Sequence, residues 1–212
     1  MKKIIPIALI FLLLGACRTD PKTNESDSEE TTSIEGKKDY LIVPGKRIGM
    51  VTAETTEAEV EDAYGKENIK FTSVAIAEDE EQQGVIVFPD TKNELEIIWE
   101  LAANIGNPAF VRLGKEGGDW HTEEGISVGT TLEKLEEING KPFSFYGFEW
   151  DYGGLVTNWN DGNISPYLVI ALIPQNFDKL GSDLMGEVIL SSDDPKVRAL
   201  NAKVGSLVIM FE

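Results

Sequence analysis

Residues 130–140 read TTLEKLEEING and predict a short helix with defined ends. Either threonine can act as N-cap by accepting a hydrogen bond from an unpaired amide, and the final glycine is a natural helix stop. The apolar residues of this segment fall at a spacing of three, on one helix face: Leu132, Leu135 and Ile138.

The same pattern occurs 75 residues earlier, where residues 55–65 read TTEAEVEDAYG. Glu57 and Glu59 lie near the start of this helix, where the helix dipole favours negative charge. The paired threonines, the apolar residues and the final glycine all keep the same offset. This regularity predicts an internal duplication, with repeats at residues 40–115 and 116–212. Chance similarity between two short capped helices is the alternative.

The sequence after the first helix predicts a meander of antiparallel strands. Residues that favour strands dominate at 69–77, 85–88 and 95–99. The polar stretches between them, 79–84 and 89–93, predict the turns of hairpins.

The second half predicts longer strands. Residues 143–152 have the composition of one strand, which Gly153-Gly154 interrupt and residues 155–159 continue. The continuous apolar run at 167–173 predicts a central strand. The remaining predicted elements are a turn at 160–163, a short helix from Pro195 to about residue 201 with proline at its first position, and a closing strand at 204–211.

Each half therefore predicts a short helix followed by antiparallel strands, which is an α+β fold by order of elements. This order, with its paired threonines and terminal glycines, resembles the repeat shared by SmpA/BamE-type lipoproteins and the β-lactamase-inhibitor-protein family. The stretches 140–143 (GKPF) and 147–154 (GFEWDYGG) also resemble lipoproteins of Bacteroidota. The first resemblance implies an assembly-accessory or inhibitory role, whereas the second implies no particular activity.

The N-terminus predicts a secreted, lipid-anchored protein. Two lysines precede an apolar run at residues 4–14, which is too short for a bilayer-spanning helix of about 20 residues. The run ends in Leu14-Gly15-Ala16-Cys17, which resembles the lipobox of bacterial lipoproteins. That resemblance implies removal of the signal peptide (residues 1–16), diacylation of Cys17 and acylation of its new amino group, as by palmitate. An ordinary secretory signal followed by a chance cysteine is the alternative.

Residues 17–39 are predicted to be a disordered tether that begins with the lipidated Cys17. Ile34 is its only large aliphatic residue, so the segment cannot bury enough apolar surface to offset its ordering entropy. Two or more acyl chains hold a protein stably at a membrane. Arg18, where some lipoproteins of two-membrane bacteria carry aspartate, favours the outer membrane by resemblance.

The charge balance excludes one class of partner. The chain has 37 acidic residues against 19 lysines and arginines, a net charge of −18. Nucleic-acid binding requires positive charge that releases the counterions of a polyanion, so we expect no nucleic-acid partner. A basic protein partner or simple solubility fits the charge. Cys17 is the only cysteine, and its lipidation leaves no thiol for disulfides or metal binding; we expect no cofactor.

Aromatic residues are concentrated in the predicted strand at 143–152. Four of them alternate and would share one face, with one more beyond the glycines: Tyr146, Phe148, Trp150 and Tyr152, then Trp159. The other face would hold Phe143, Phe145, Glu149 and Asp151. Exposed aromatic residues are frequent binding hot spots, so these five predict a partner-binding face. The alternative is a plain core, because large aromatic side chains are usually buried.

Catalytic motifs are scarce. His121 is the only histidine, so no second histidine can share a zinc ion. Residues 125–129 (GISVG) match the pattern Gly-x-Ser-x-Gly, but no strand is predicted directly before them, as the nucleophile turn of hydrolases requires. The Asn-rich stretch 158–163 lacks the spacing of a calcium loop, although weak calcium binding stays an alternative. We therefore expect a membrane-anchored, non-enzymatic binding or assembly-accessory protein without a metal site. The alternatives are an envelope hydrolase using Glu149, Asp151 or His121, and an enzyme inhibitor by fold analogy.

Overall fold

The computed structural model describes residues 39–77, 79–99 and 108–212, which form three α-helices and thirteen strands. The helices are α1 (Glu57–Tyr64), α2 (Leu132–Asn139) and α3 (Pro195–Arg198). The first seven strands are β1 (Leu41–Val43), β2 (Arg47–Ile48), β3 (Val51–Thr52), β4 (Ile69–Ala77), β5 (Glu80–Val87), β6 (Leu95–Trp99) and β7 (Pro108–Leu113). The other six are β8 (His121–Thr122), β9 (Ser144–Tyr146), β10 (Val156–Asn158), β11 (Leu168–Ile173), β12 (Ile189–Ser191) and β13 (Lys203–Met210).

The predicted α+β class is confirmed in its coarse form, since helices and strands are both present, but the fold is mostly strand. The predicted signal peptide, Cys17 and all of the predicted tether except Asp39 lie outside the described residues.

The strands form three sheets. The largest is antiparallel throughout, with the order β11-β13-β7-β6-β5-β4. The second, β10-β9-β12, is also antiparallel, whereas the third, β3-β2-β1-β8, contains a parallel pair between β1 and β8. An isolated antiparallel bridge between Leu155 and Ala171 links the first two sheets. Because β13 pairs with β7, both halves of the chain contribute to the largest sheet.

The helix ends confirm the predicted capping signals. Thr56 Oγ1 accepts a hydrogen bond from the Glu59 N–H at 3.4 Å, and the Glu59 carboxylate accepts one from the Thr56 N–H at 2.8 Å. This reciprocal pair is a capping box. Thr131 caps α2 by accepting the N–H three residues on, at 3.2 Å. Gly65 and Gly140 end the two helices with φ of 84° and 78°, values that favour glycine.

The helices cover one face of the largest sheet. Val60 of α1 and Leu132 and Leu135 of α2 are fully buried. They belong to one apolar cluster with residues of the sheet, among them Val85, Val87, Leu95, Ile97, Val111, Leu207 and Ile209. Burial of these apolar side chains is the main favourable contribution to the free energy of folding. Because side chains alternate along a strand, the residues between the buried ones point to the opposite face of the sheet.

Several elements lie where the sequence predicts them. The strands at 69–77 and 95–99 have the predicted bounds as β4 and β6. α3 begins with Asp194 as N-cap and Pro195 at its first position, although it ends at Arg198, earlier than predicted.

The predicted turn at 79–84 is wrong in most of its length. β5 begins at Glu80 and pairs with β4 from there onward. Asp79, with φ of 62°, lies in the tight turn before β5. Because the tip of this hairpin is exposed, its residues need no apolar alternation to form a strand.

The strand predicted at 167–173 is present as β11, but its predicted central position is wrong, because β11 is the terminal strand of its sheet. Leu168, Ile170 and Leu172 are buried, whereas the residues between them are half-buried or exposed. The continuous apolar run therefore reflects one buried face and one face of half-buried apolar residues.

The predicted long strand at 143–152 is wrong as well. β9 ends at Tyr146, and the chain turns back through Glu149, which has φ of 62°. β10 then runs antiparallel to β9, so residues 155–159 do not continue the same strand.

Close main-chain packing explains the early end of β9. A Cβ on Gly147 would lie 2.7 Å from the Gly186 carbonyl oxygen, closer than side chains tolerate. Phe148 forms a parallel bridge with Met185, a residue far away in sequence. The chain at this point is therefore held by a tertiary contact that strand periodicity does not reveal.

Candidate functional site

Three aromatic side chains form a connected cluster at the end of β9 and in the loop that follows. The ring centroids of Tyr146 and Trp150 are 5.2 Å apart with an interplanar angle of 88°. Those of Trp150 and Tyr152 are 5.3 Å apart at 71°. Both are edge-to-face arrangements, which aromatic pairs favour. We call Tyr146, Trp150 and Tyr152 the aromatic platform; Tyr152 is 58% exposed.

Hydrogen bonds within the loop hold the platform in place. Trp150 Nε1 donates to the Gly147 carbonyl oxygen at 3.0 Å, and the Gly153 N–H donates to the Trp150 carbonyl oxygen at 2.9 Å. The Tyr146 N–H donates to the Leu155 carbonyl oxygen at 2.9 Å. Since these bonds fix the loop in the unbound protein, little ordering cost remains for a binding event.

The segment before β12 supports the same loop from the other side. The Phe148 N–H donates to the Leu184 carbonyl oxygen at 2.9 Å, and the Phe148 carbonyl oxygen accepts the Gly186 N–H at 2.9 Å. The Gly147 N–H donates to the Val188 carbonyl oxygen at 2.8 Å. Main-chain hydrogen bonds therefore connect the loop that carries the platform to residues 184–188.

Ile189 extends the platform, and the sequence reasoning missed it. It pairs directly with Tyr146 across β12 and β9, which places the two side chains on one face as neighbours. Ile189 is 58% exposed. β12 has only three residues, too few to show an alternation, so the sequence held no local signal for this residue.

Phe148 and Trp159 do not belong to the platform, and the prediction of five aromatic residues on one face is wrong; within the platform Tyr152 is exposed, whereas Tyr146 and Trp150 are half-buried. Phe148 is 2% exposed and packs against Phe145, with ring centroids 5.7 Å apart. Trp159 is half-buried against Phe143 at 4.9 Å. Because the chain turns after β9, Phe148 points to the core instead of following the alternation.

Strand pairing places Tyr146 on the face of the largest sheet that lies opposite the helices. Leu155 pairs with Ala171 of β11, while Phe145 pairs with Val156 on the core side. Alternation therefore puts Tyr146 on the side of Leu155 and Ala171. We call this side the open face; half-buried or exposed apolar residues on it include Phe110, Val169, Val208 and Met210.

Three acidic residues accompany the platform. Glu149 and Asp151 flank Trp150 in the chain, and Glu187 directly precedes Val188. All three are exposed. Within the described part of the chain, none of them takes part in an ion pair.

The surrounding sequence is acidic over a long range. Residues 142–195 contain eight aspartates and glutamates but a single basic residue, Lys179. The chain segment that carries the platform is therefore acidic, although Lys196, directly after it, pairs with Asp183.

The residues of the hydrolase alternative lie apart from a surface cavity on the open face. This cavity of about 590 Å³ has the ion pair of Arg112 Nε and Glu96 in its lining, with an N–O distance of 2.5 Å. His121, Glu149 and Asp151 do not line it. The His121 ring is exposed, with Nδ1 2.7 Å from the Asp119 carbonyl oxygen.

Residues 39–77, 79–99 and 108–212 contain no group of three or more His, Cys, Asp or Glu arranged to hold a metal ion. They also contain no helix with the length and apolar character needed to cross a bilayer.

Comparison with known proteins finds no protein family, curated protein or solved structure that matches this chain.

Proposed function

We propose that the protein is a non-enzymatic binding module of the cell envelope, anchored through Cys17, with the aromatic platform as its contact surface. The observation that carries this proposal is the edge-to-face packing of Tyr146, Trp150 and Tyr152 on a loop fixed by its own hydrogen bonds. Tyrosine and tryptophan are enriched among the residues that dominate binding energies.

The surface around the platform has the character of an interface. Ile189 lies beside Tyr146, and the half-buried apolar residues of the open face continue in the direction of β11. Protein interfaces typically have an aromatic-rich core depleted of charge and a polar rim, and here the exposed polar residues beside the platform are acidic. A protein partner is therefore favoured, and nucleic acid is excluded from the proposal because a chain of net charge −18 repels a polyanion.

The sequence of the N-terminus supports the proposed location. The Leu14-Gly15-Ala16-Cys17 segment follows an apolar run of signal-peptide length. Two or more acyl chains on Cys17 would keep the binding module at the membrane. Arg18 favours the outer membrane among the membranes of a two-membrane bacterium.

We also propose that the two halves are tandem repeats related to the SmpA/BamE-type and β-lactamase-inhibitor-protein families. Each of the eight-residue helices α1 and α2 is followed by four strands in which neighbours are antiparallel. These strands are β4-β5-β6-β7 after α1 and β9-β10-β11-β13 after α2. In the second path, the bridge between Leu155 and Ala171 supplies the link from β10 to β11. The last strands of both paths, β7 and β13, pair with each other, which supports a two-fold arrangement of repeats.

Site-specific photo-crosslinking in the native host tests the proposed binding surface. Tyr152 is replaced by the photoreactive residue p-benzoylphenylalanine in the full chain, and cells are irradiated. We expect a discrete crosslinked adduct with one envelope protein. The adduct should disappear when Trp150→Ala is added, because Trp150 supports the ring of residue 152.

Phe177 provides the matched control. It is 59% exposed, almost the same as Tyr152 at 58%, but it lies outside the platform. The photoreactive residue at position 177 should give no such adduct. Equal adducts from both positions, or none from position 152, would contradict the proposed surface.

A further inference from the structure

We propose that the aromatic platform binds a cationic side chain, arginine or lysine, presented by an extended basic segment of the partner. This inference rests on the proposed function and adds the chemistry of the partner to it. The argument has three parts: the orientation of the rings, the unpaired carboxylates around them and the free strand edge beside them.

The rings offer faces that a cation can contact. Cations are attracted to the faces of tryptophan and tyrosine rings, most strongly to tryptophan, within about 6 Å of the centroid. Trp150 lies between Tyr146 and Tyr152, and its plane is turned by 88° and 71° from theirs. Because neighbouring rings are in contact, with centroids 5.2 and 5.3 Å apart, a cation would lie against an outward ring face, and Tyr152, which is 58% exposed, offers the most surface.

The acidic residues around the platform favour the same ligand. Glu149, Asp151 and Glu187 are exposed, and no described residue forms an ion pair with them. Some exposed carboxylates have a basic partner, as Asp183 has with Lys196 Nζ 2.5 Å away, whereas others, such as Glu123 and Glu124, have none among the described residues. The carboxylates beside the platform are therefore available to a cation from outside the chain.

The strand next to the platform favours an extended partner. β12 is the outermost strand of its sheet, so one of its edges carries main-chain groups that a partner strand can pair with. Ile189 of β12 adjoins Tyr146. A segment added along the free edge of β12 would lie about 10 Å from β9, with Ile189 between them, so its long side chains would have to reach across Ile189 to contact Tyr146.

Charge also argues against a second copy of this chain as the occupant. Two platforms brought face to face would oppose like charges, because residues 142–195 hold eight acidic residues and one lysine. Juxtaposed like charges disfavour an interface. The proposal therefore commits to a basic segment of a different protein.

Calorimetry with a designed peptide pair tests the proposal. The protein is the complete chain from residue 17 with Cys17→Ser, which removes the lipid. One nonapeptide alternates arginine with valine, and the other carries neutral citrulline in place of each arginine. We expect the arginine peptide to bind at least tenfold more tightly, with an affinity that falls as salt is raised.

Two variants separate the rings from the carboxylates. Trp150→Ala should weaken binding of the arginine peptide at least tenfold. The triple variant Glu149→Gln, Asp151→Asn, Glu187→Gln keeps the rings and should reduce the preference for arginine over citrulline. A control that removes the same number of exposed carboxylates elsewhere, Glu123→Gln, Glu124→Gln, Glu133→Gln, should keep that preference.

Two results would overturn the inference. The first is no measurable binding of the arginine peptide, and the second is equal binding of both peptides. Equal binding that is lost in Trp150→Ala would leave the platform as a contact surface and remove only its charge preference. The crosslinking experiment at residue 152 does not depend on the charge of a peptide. A missing crosslink would therefore contradict the proposed binding surface, whereas the calorimetry tests only its preference for a cation.

Discussion

Thr55 and Thr130, which are 75 residues apart, make the same hydrogen bond. Thr55 Oγ1 accepts the Thr52 N–H at 2.8 Å, and Thr130 Oγ1 accepts the Ser127 N–H at 2.9 Å. Each bond closes the turn that leads into a helix, and the next threonine caps that helix. The strand after each helix also begins at the same offset, since β4 and β9 start 75 residues apart.

The cap of α2 gives the first prediction. Thr131→Ala removes the side-chain oxygen that accepts the Lys134 N–H at 3.2 Å, so we expect the free energy of unfolding to fall by about 1 kcal/mol. Thr131→Ser keeps an oxygen at this position and should change it by only a few tenths of a kcal/mol. Urea unfolding of the unlipidated chain measures the free energy of unfolding of both variants. Equal decreases in Thr131→Ala and Thr131→Ser would show that loss of the cap oxygen does not cause the destabilisation.

The second prediction concerns the loop that carries the platform. A Cβ on Gly147 would lie 2.7 Å from both the Gly186 carbonyl oxygen and Val188 Cγ2. Gly147→Ala should therefore cost about 1–3 kcal/mol of stability through overpacking, and it should also abolish the crosslink from residue 152. The control is Gly125→Ala, where a Cβ would meet nothing within 4 Å. Its backbone strain costs about 1–2 kcal/mol, but the crosslink should persist.

The sequence predicts local features of this fold well and the candidate site only in part. The caps of α1 and α2 depend on residues within a few positions of one another, so Thr56, Thr131 and the terminal glycines are sufficient signals. The platform depends on Phe148 meeting Met185, a contact between segments that are distant in sequence. No period in residues 143–152 records that contact, so alternation alone wrongly predicts Phe148 on the face of Tyr146 and Trp150. Ile189 lies in a strand of three residues, too short to show an alternation.

Tyr64 provides a prediction about alkaline stability. Burial raises the pKa of its hydroxyl from the usual value of 10.0 to about 12, although the hydroxyl also accepts the Met50 N–H at 3.1 Å. A folded-state pKa above the unfolded one adds stability below pH 10, and that contribution is lost as the pH rises to about 12. The loss amounts to about 3 kcal/mol. Tyr64→Phe should lack this part of the pH dependence, as urea unfolding between pH 9 and about pH 12 would show. If the free energy of unfolding fell equally with pH in both proteins, Tyr64 would not be the source of the decrease.

Replacing Cys17 by serine tests the proposed anchor. Cys17 precedes Asp39, where the described residues begin. Serine cannot form the thioether to diacylglycerol, so the variant should carry no acyl chains; two acyl chains are what makes membrane attachment stable. We expect the wild-type protein to incorporate labelled palmitate in the native host and the variant to incorporate none, with the same thermal unfolding midpoint for both. As a control, Arg18→Ala should incorporate the label, and a Cys17→Ser variant that also did so would disprove the lipid anchor.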